Sequence, residues 1–279
     1  MEALTPADLL DAWERGASAD DHERALVLLG YARPDVSPEA LGSIPIGGRD
    51  VALLHLRATT FGETMTAVTS CPSCGDQLEL RLEVADLIAG EPEDTADDGG
   101  AADSDWIVAT AGEQRVRVRR PTTADLVAAL EAASMVGGDP AVARHELVRR
   151  LVIDHPPSGL DEALETAIED AVGAAESGLD MTVDVGCPAC HHEWETWIDV
   201  PGFLWTEVAA SARRVAGEVA GLAVAYGWRE SDVLALSPWR RQLYLMLDAY
   251  RAERAHPLPE PPMTDDQLYD AMVHLSKVK

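Results

Sequence analysis

A chain of 279 residues, 47% of them hydrophobic and 25% charged, is long enough to bury a core and too apolar for a disordered or fibrous protein. Its 49 acidic against 22 basic residues give a formal charge of −27, which repels phosphate backbones and anionic lipid and leaves nucleic acid and membrane surfaces out as partners. No hydrophobic run reaches the roughly 20 residues of a membrane helix, and Met1 to Asp8 lack the basic and apolar stretches of a signal peptide, so the expectation is a cytoplasmic protein.

The first region, residues 1–60, carries helix signals. Thr5-Pro6 offers an N-cap followed by proline, and Leu9, Leu10 and Trp13 form an apolar face, predicting a helix over about 6–15. A second is predicted over about 19–32, and a third beginning near Asp50 with Val51, Leu53, Leu54 and Leu56. In residues 61–90 a run from Met65 to Ser70 leads into Cys71-Pro72-Ser73-Cys74-Gly75. Leu78, Leu80, Leu82 and Val84 then alternate with Glu79, Arg81 and Glu83, a pattern of strand, knuckle, strand. Residues 91–105 are acidic and nearly free of apolar side chains, which predicts a mobile loop. Region 106–178 reads as a hairpin over Trp106 to Val118 that turns at Ala111-Gly112-Glu113. Helices follow over about 123–135, about 140–153 and from Asp161 to near Gly178.

Region 179–202 repeats the knuckle. Cys187-Pro188-Ala189-Cys190 lies 116 positions after the first (187 − 71), and the same offset aligns Met181 with Met65, Trp194 with Leu78, Ile198 with Leu82 and Val200 with Val84. Residues 203–255 predict helices over about 203–226, 231–235 and 238–254. Residues 256–279 read as a proline-rich linker and a short terminal helix opened by the capping box at Thr264-Asp265-Asp266-Gln267.

Two CxxC pairs in a long cytosolic chain point to a metal sooner than to disulfides, because that compartment keeps thiols reduced. Cys71, Cys74, Cys187 and Cys190 supply the four thiolates that tetrahedral zinc takes, each pair from a tight turn between strands in the manner of a zinc ribbon. Iron in a rubredoxin-like site takes similar ligands. A redox CxxC instead opens a helix after a strand, whereas these have strands on both sides. His191 and His192 are rival ligands, but the repeat puts His191 opposite Gly75, a position without a ligand atom. Four thiolates close the coordination shell, so the site reads as structural, with no catalytic or cofactor-binding residues and no enzymatic activity. His145-Glu146 resembles the start of a metalloprotease motif, but Arg149 stands where its second histidine belongs. Of the seven tryptophans, Trp194, Trp197 and Trp205 flank the second knuckle and are expected to pack around it.

The run from Ala225 through Trp228 and Trp239 to Leu245 resembles a known family. So do Leu41-Gly42-Ser43-Ile44-Pro45-Ile46-Gly47-Gly48-Arg49-Asp50, Phe61-Gly62 and both CPxC knuckles. The family is that of the T4-type phage baseplate hub assembly chaperones, in the branch associated with phage-tail-like contractile injection systems. The resemblance implies a chaperone or minor component for building the baseplate, with hub or wedge proteins as partners. The metal does not come from the resemblance, since phage members need not share the cysteines. On the helix after Ser237-Pro238, Arg240 and Tyr244 lie one turn apart and are expected to meet a partner while Trp239 and Leu243 pack inward. The expected fold is α+β and mostly helical, with two zinc-knuckle β-hairpins forming one zinc ribbon and a helical insertion between them. A zinc-ribbon regulatory protein contacting the transcription machinery is the alternative from another class.

Overall fold

The computed structural model describes residues 2–88, 106–154, 156, 159–176 and 181–255, and the chain divides into two units, Met1–Arg213 and Arg214–Lys279. The acidic run 91–105, the end of the helix predicted to reach Gly178, and the linker and terminal helix of 256–279 lie outside the described residues. The architecture is α+β and mostly helical, and among the described residues the strands form three separate two-stranded antiparallel hairpins.

The first unit opens with α1 (Pro6–Gly16) and α2 (Asp21–Ala32). Each is started by a capping box, Thr5 with Asp8 and Asp20 with Glu23. A short α3 (Pro38–Leu41) precedes α4 (Ile46–Phe61). The third predicted helix therefore begins at Ile46 and not near Asp50. No side chain caps its start. Instead the Ile46 N–H donates to the Pro121 carbonyl at 2.9 Å, a cap supplied from 75 residues away (121 − 46) and invisible in local sequence. Arg49 and Asp50, both buried, pair at 2.7 Å, and Arg49 also donates to Thr123 Oγ1 at 3.1 Å, which joins the start of α4 to the segment after the second hairpin. Gly16 is where α1 meets Trp205, whose ring leaves no room for a Cβ there.

Next come β1 (Thr64–Ser70), β2 (Gln77–Glu83) and α5 (Val84–Ile88), then β3 (Trp106–Ala111) and β4 (Gln114–Arg119). The insertion continues with α6 (Thr123–Ser134), α7 (Pro140–Leu151) and α8 (Glu162–Glu176), and the chain returns through β5 (Thr182–Gly186) and β6 (Glu193–Trp197). Two cores result. One joins α1, α2 and α4 to Met65, Val84, Met181, Ile198, Val200 and Leu204. The other packs Ala109, Val116 and Val118 of β3–β4 against Val148, Leu151, Leu164 and Ile168 of α7 and α8. Burial of such side chains, at about 25 cal/mol per Å² of apolar surface, gives the insertion a driving force of its own.

Asp125 holds the insertion together. Buried at the start of α6, it accepts from the Thr122 N–H and hydroxyl, from both terminal nitrogens of Arg119 at 2.5 and 2.7 Å, and from Arg150 Nε at 3.2 Å. Burial works to raise its pKa, but the Arg119 and Thr122 hydrogen bonds win and hold it at about 2. A folded-state pKa below the unfolded one means stability that is fully present above the unfolded value and lost as pH falls through the folded value. Denaturation curves should thus lose about 2 kcal/mol between roughly pH 5 and pH 2. Asp125→Asn should lack that acid-sensitive component and be less stable at pH 7.

The second unit receives α9 (Val200–Tyr226) and holds α10 (Glu230–Leu234) and α11 (Pro238–Ala255). Among the described residues, no helix is long and apolar enough to cross a membrane.

Candidate metal centre

The two cysteine hairpins are copies of each other down to the hydrogen bond. Ser70 pairs with Gln77 and Thr69 with Leu78 in the first, Gly186 with Glu193 and Val185 with Trp194 in the second, all at the offset of 116 that separates Cys71 from Cys187 (187 − 71). At each tip the first cysteine donates its N–H across the turn, Cys71 to the Asp76 carbonyl at 2.8 Å and Cys187 to that of His192 at 2.9 Å. Its carbonyl accepts from the residue after the second cysteine, Gly75 or His191, at 2.9 Å in both. The copies match at the base too. Met65, Val84, Met181 and Val200 all enter the main core, and at Val84 and Val200 each hairpin runs into a helix.

That closing turn requires a left-handed residue. Gly75 adopts φ +77° without strain, and His191, the only non-glycine residue with positive φ among the described residues, adopts +58°. His191 thus completes the turn with its backbone, its side chain is exposed, and it is not among the clustered ligands. His191→Gly should raise stability by about 1 kcal/mol and Gly75→Ala lower it by about 1 kcal/mol, both readable in thermal melts.

The tips meet. The Sγ atoms of Cys71, Cys74, Cys187 and Cys190 all lie within 4.8 Å of one another, with Cys71 3.6 Å from Cys190 and Cys74 3.7 Å from Cys187. Four sulfurs around an ion with metal–sulfur bonds of about 2.3 Å stand about 3.8 Å apart in a tetrahedron, so the set fits such an ion. None of the four is in a disulfide. The first cysteine of each pair is buried and the second exposed, so the centre has one side in Leu78, Val185 and Trp194 and the other toward water. Burial resists ionisation of Cys71, but the Cys74 and Ser73 amides and the Cys190 thiol donate to its sulfur and pull its pKa down to about 6. The Asp76 amide favours the Cys74 thiolate, yet its hydrogen bonds with the other three thiols and its desolvation push it up to about 12. Four clustered thiols share one negative charge readily and more only with a cation among them. Among the described residues no other group of histidine, cysteine or carboxylate side chains is placed to hold a metal.

The tryptophans expected around the second knuckle separate. Trp194 packs there, stacked on His192 at 5.9 Å. Trp197 is exposed, and Trp205 lies against the main core with Arg24 over its ring at 5.0 Å.

On α11 the expected facing holds only in part, with Arg240 exposed and Leu243 half-buried but Trp239 turned outward. Trp239 is 71% exposed, and Tyr244 is half-buried with its ring edge-on to Trp228 at 5.1 Å and to Tyr226 at 6.0 Å. Arg240 is exposed as expected, and its neighbour Arg241 is the buried one, bonded to Glu218 Oε2 and the Leu236 carbonyl, each at 2.6 Å. Helical spacing showed which residues share a face. It did not show which face turns inward, because a buried Glu218 23 residues before Arg241 (241 − 218) decides it. No protein-family model matches the chain, and no curated protein or solved structure gives a significant match.

Proposed function

We propose that Cys71, Cys74, Cys187 and Cys190 bind one structural zinc ion and make the two hairpins a single zinc ribbon. We further propose that the protein is a non-enzymatic assembly factor, a chaperone or minor component for the baseplate hub of a contractile phage-tail-like injection system. The observation that carries the non-enzymatic part is the closed set of four sulfurs. It leaves no coordination position for water or substrate, so the ion ties chain segments together and activates nothing.

The assembly reading rests on the family resemblance. In its support, the resembling stretches do scaffold work here. Leu41 to Asp50 fastens α4 to the insertion through Arg49 and Thr123, and the Gly62 carbonyl accepts from Arg57, which also pairs with Glu207 of α9 at 2.8 Å. A chain of −27 stays soluble and is drawn to basic partners at long range, which suits a factor that holds a component until it is built in. Arg240 keeps its role as a proposed partner contact. Tyr244, within the aromatic cluster, would act by holding the helix in place.

The test is purification of the tagged protein from its own cells with its partners identified by mass spectrometry, alongside electron microscopy of particles made without it. Baseplate hub or wedge proteins, and loss of assembled baseplates, are the expected results. Transcription-machinery subunits, or particles assembled normally, would overturn the reading.

A further inference from the structure

The four sulfurs of the metal centre are not equivalent toward a reagent in solution. Cys74 and Cys190 are exposed, whereas Cys71 and Cys187 are buried beside Leu78, Val185 and Trp194. Each exposed sulfur has a buried neighbour on the other hairpin. Cys190 lies 3.6 Å from Cys71 and Cys74 lies 3.7 Å from Cys187, two contacts that share no atom and together use all four thiols. The chain has four cysteines in all, so no other thiol competes for them. A disulfide holds its sulfurs about 2.05 Å apart, so closing either contact moves each sulfur by only about 0.8 Å.

We propose that the centre is an oxidation site, at which a hydroperoxide replaces the metal tie with two disulfides that cross between the hairpins, Cys71–Cys190 and Cys74–Cys187. The inference deepens the zinc-ribbon reading and rests on it. In each step the exposed sulfur, Cys74 or Cys190, attacks the O–O bond of hydrogen peroxide, becomes a sulfenic acid and releases hydroxide. The buried sulfur opposite then attacks the sulfenic sulfur, so that the S–S bond forms, the S–O bond breaks and a second hydroxide leaves. Two thiolates lose two electrons, one peroxide gains them, and two protons from solvent turn the hydroxides into water. Two such steps consume two peroxides and leave no thiolate to hold the ion, whose own oxidation state does not change.

The pairing decides what the fold does next. Disulfides within the CxxC pairs would join residues three apart (74 − 71 and 190 − 187) and release the hairpins from each other. The crossed disulfides join residues 119 and 113 apart, and long closures remove the most freedom from the unfolded chain. Oxidation therefore exchanges one tie for another, whereas a chelator only removes one. Both treatments strip the zinc, yet after oxidation the hairpins stay joined.

The experiment treats the reduced, zinc-loaded full chain with about two equivalents of hydrogen peroxide. Zinc release is read with a colorimetric chelator, disulfide connectivity by mass spectrometry of an unreduced digest, and stability by a thermal melt beside that of the reduced chain stripped with a chelator. The expected result is release of the ion, linked peptides Cys71–Cys190 and Cys74–Cys187, and a melt well above that of the stripped chain, which dithiothreitol without added zinc brings down to it. Linkage within the CxxC pairs, sulfinic acid without any linkage, or a melt as low as that of the stripped chain would overturn the proposal. A reduced chain that carries no zinc at the outset would instead overturn the zinc reading. Connectivity in that sample would still decide the crossed pairing, because it depends on where the sulfurs stand.

Discussion

Elemental analysis of the purified protein should return one zinc per chain, and loss of that ion should be among the most destabilising changes the fold can suffer. Cys71 and Cys187 sit at equivalent places in two hairpins, both 2% exposed, and each contributes one sulfur to the same cluster of four. Replacing either with serine leaves three cysteines, which reprotonate without the ion that ties the two hairpins together, so each single variant should lose more than about 4 kcal/mol, the exceptional range for one substitution. The effects should coincide, and the double variant should be little worse than either single one, because the second substitution acts on a site already lost. A chelator should lower the melting temperature of the parent to that of the variants and leave theirs unchanged. Zinc binding displaces protons from the thiols, so the ion and the stability it confers should leave together as pH falls. Iron in place of zinc, or one cysteine variant melting like the parent while the other unfolds, would refute the shared zinc site.

The centre was legible because its determinants are local and repeated. A CPxC turn bounded by alternating residues specifies a knuckle by itself, and its recurrence with Met181, Trp194 and Ile198 in register implies a second copy of the same hairpin. Helix starts were legible where a nearby side chain caps them, as at Thr5. They were missed where the partner is distant, as at Ile46, whose N–H is satisfied by Pro121. The same distinction explains the failure on α11. Periodicity puts Trp239, Leu243 and Met246 on one side, and the ordinary rule sends an apolar side inward, but here the inward side is chosen by Glu218, Gln242 and the aromatic group of Tyr226, Trp228 and Tyr244. Trp205 was misplaced for a related reason. Eight residues beyond Trp197 along the chain (205 − 197), it is carried by α9 to the Gly16 side of the main core.

Within the second unit, Arg241→Met should cost about 3–5 kcal/mol, whereas Arg240→Ala, one residue away, should stay within about 0.5 kcal/mol of the parent. Arg241 and Glu218 pair at 2.6 Å with side chains only 3% and 7% exposed. Removing the guanidinium therefore strands a carboxylate with only Gln242 Nε2, at 2.6 Å, to replace water. The variant should unfold this unit early, seen as loss of the near-ultraviolet circular dichroism of the stacked Tyr226, Trp228 and Tyr244. The cost comes mainly from the charge left behind, so Arg241→Met combined with Glu218→Met should recover most of the stability. Recovery should be incomplete, because Arg241 also donates to the Leu236 carbonyl, and methionine leaves that acceptor to find water. If the double variant were as unstable as the single one, the pair would matter for its packing volume and not for its charge. If both were as stable as the parent, Arg241 would not be what turns the polar side of α11 inward.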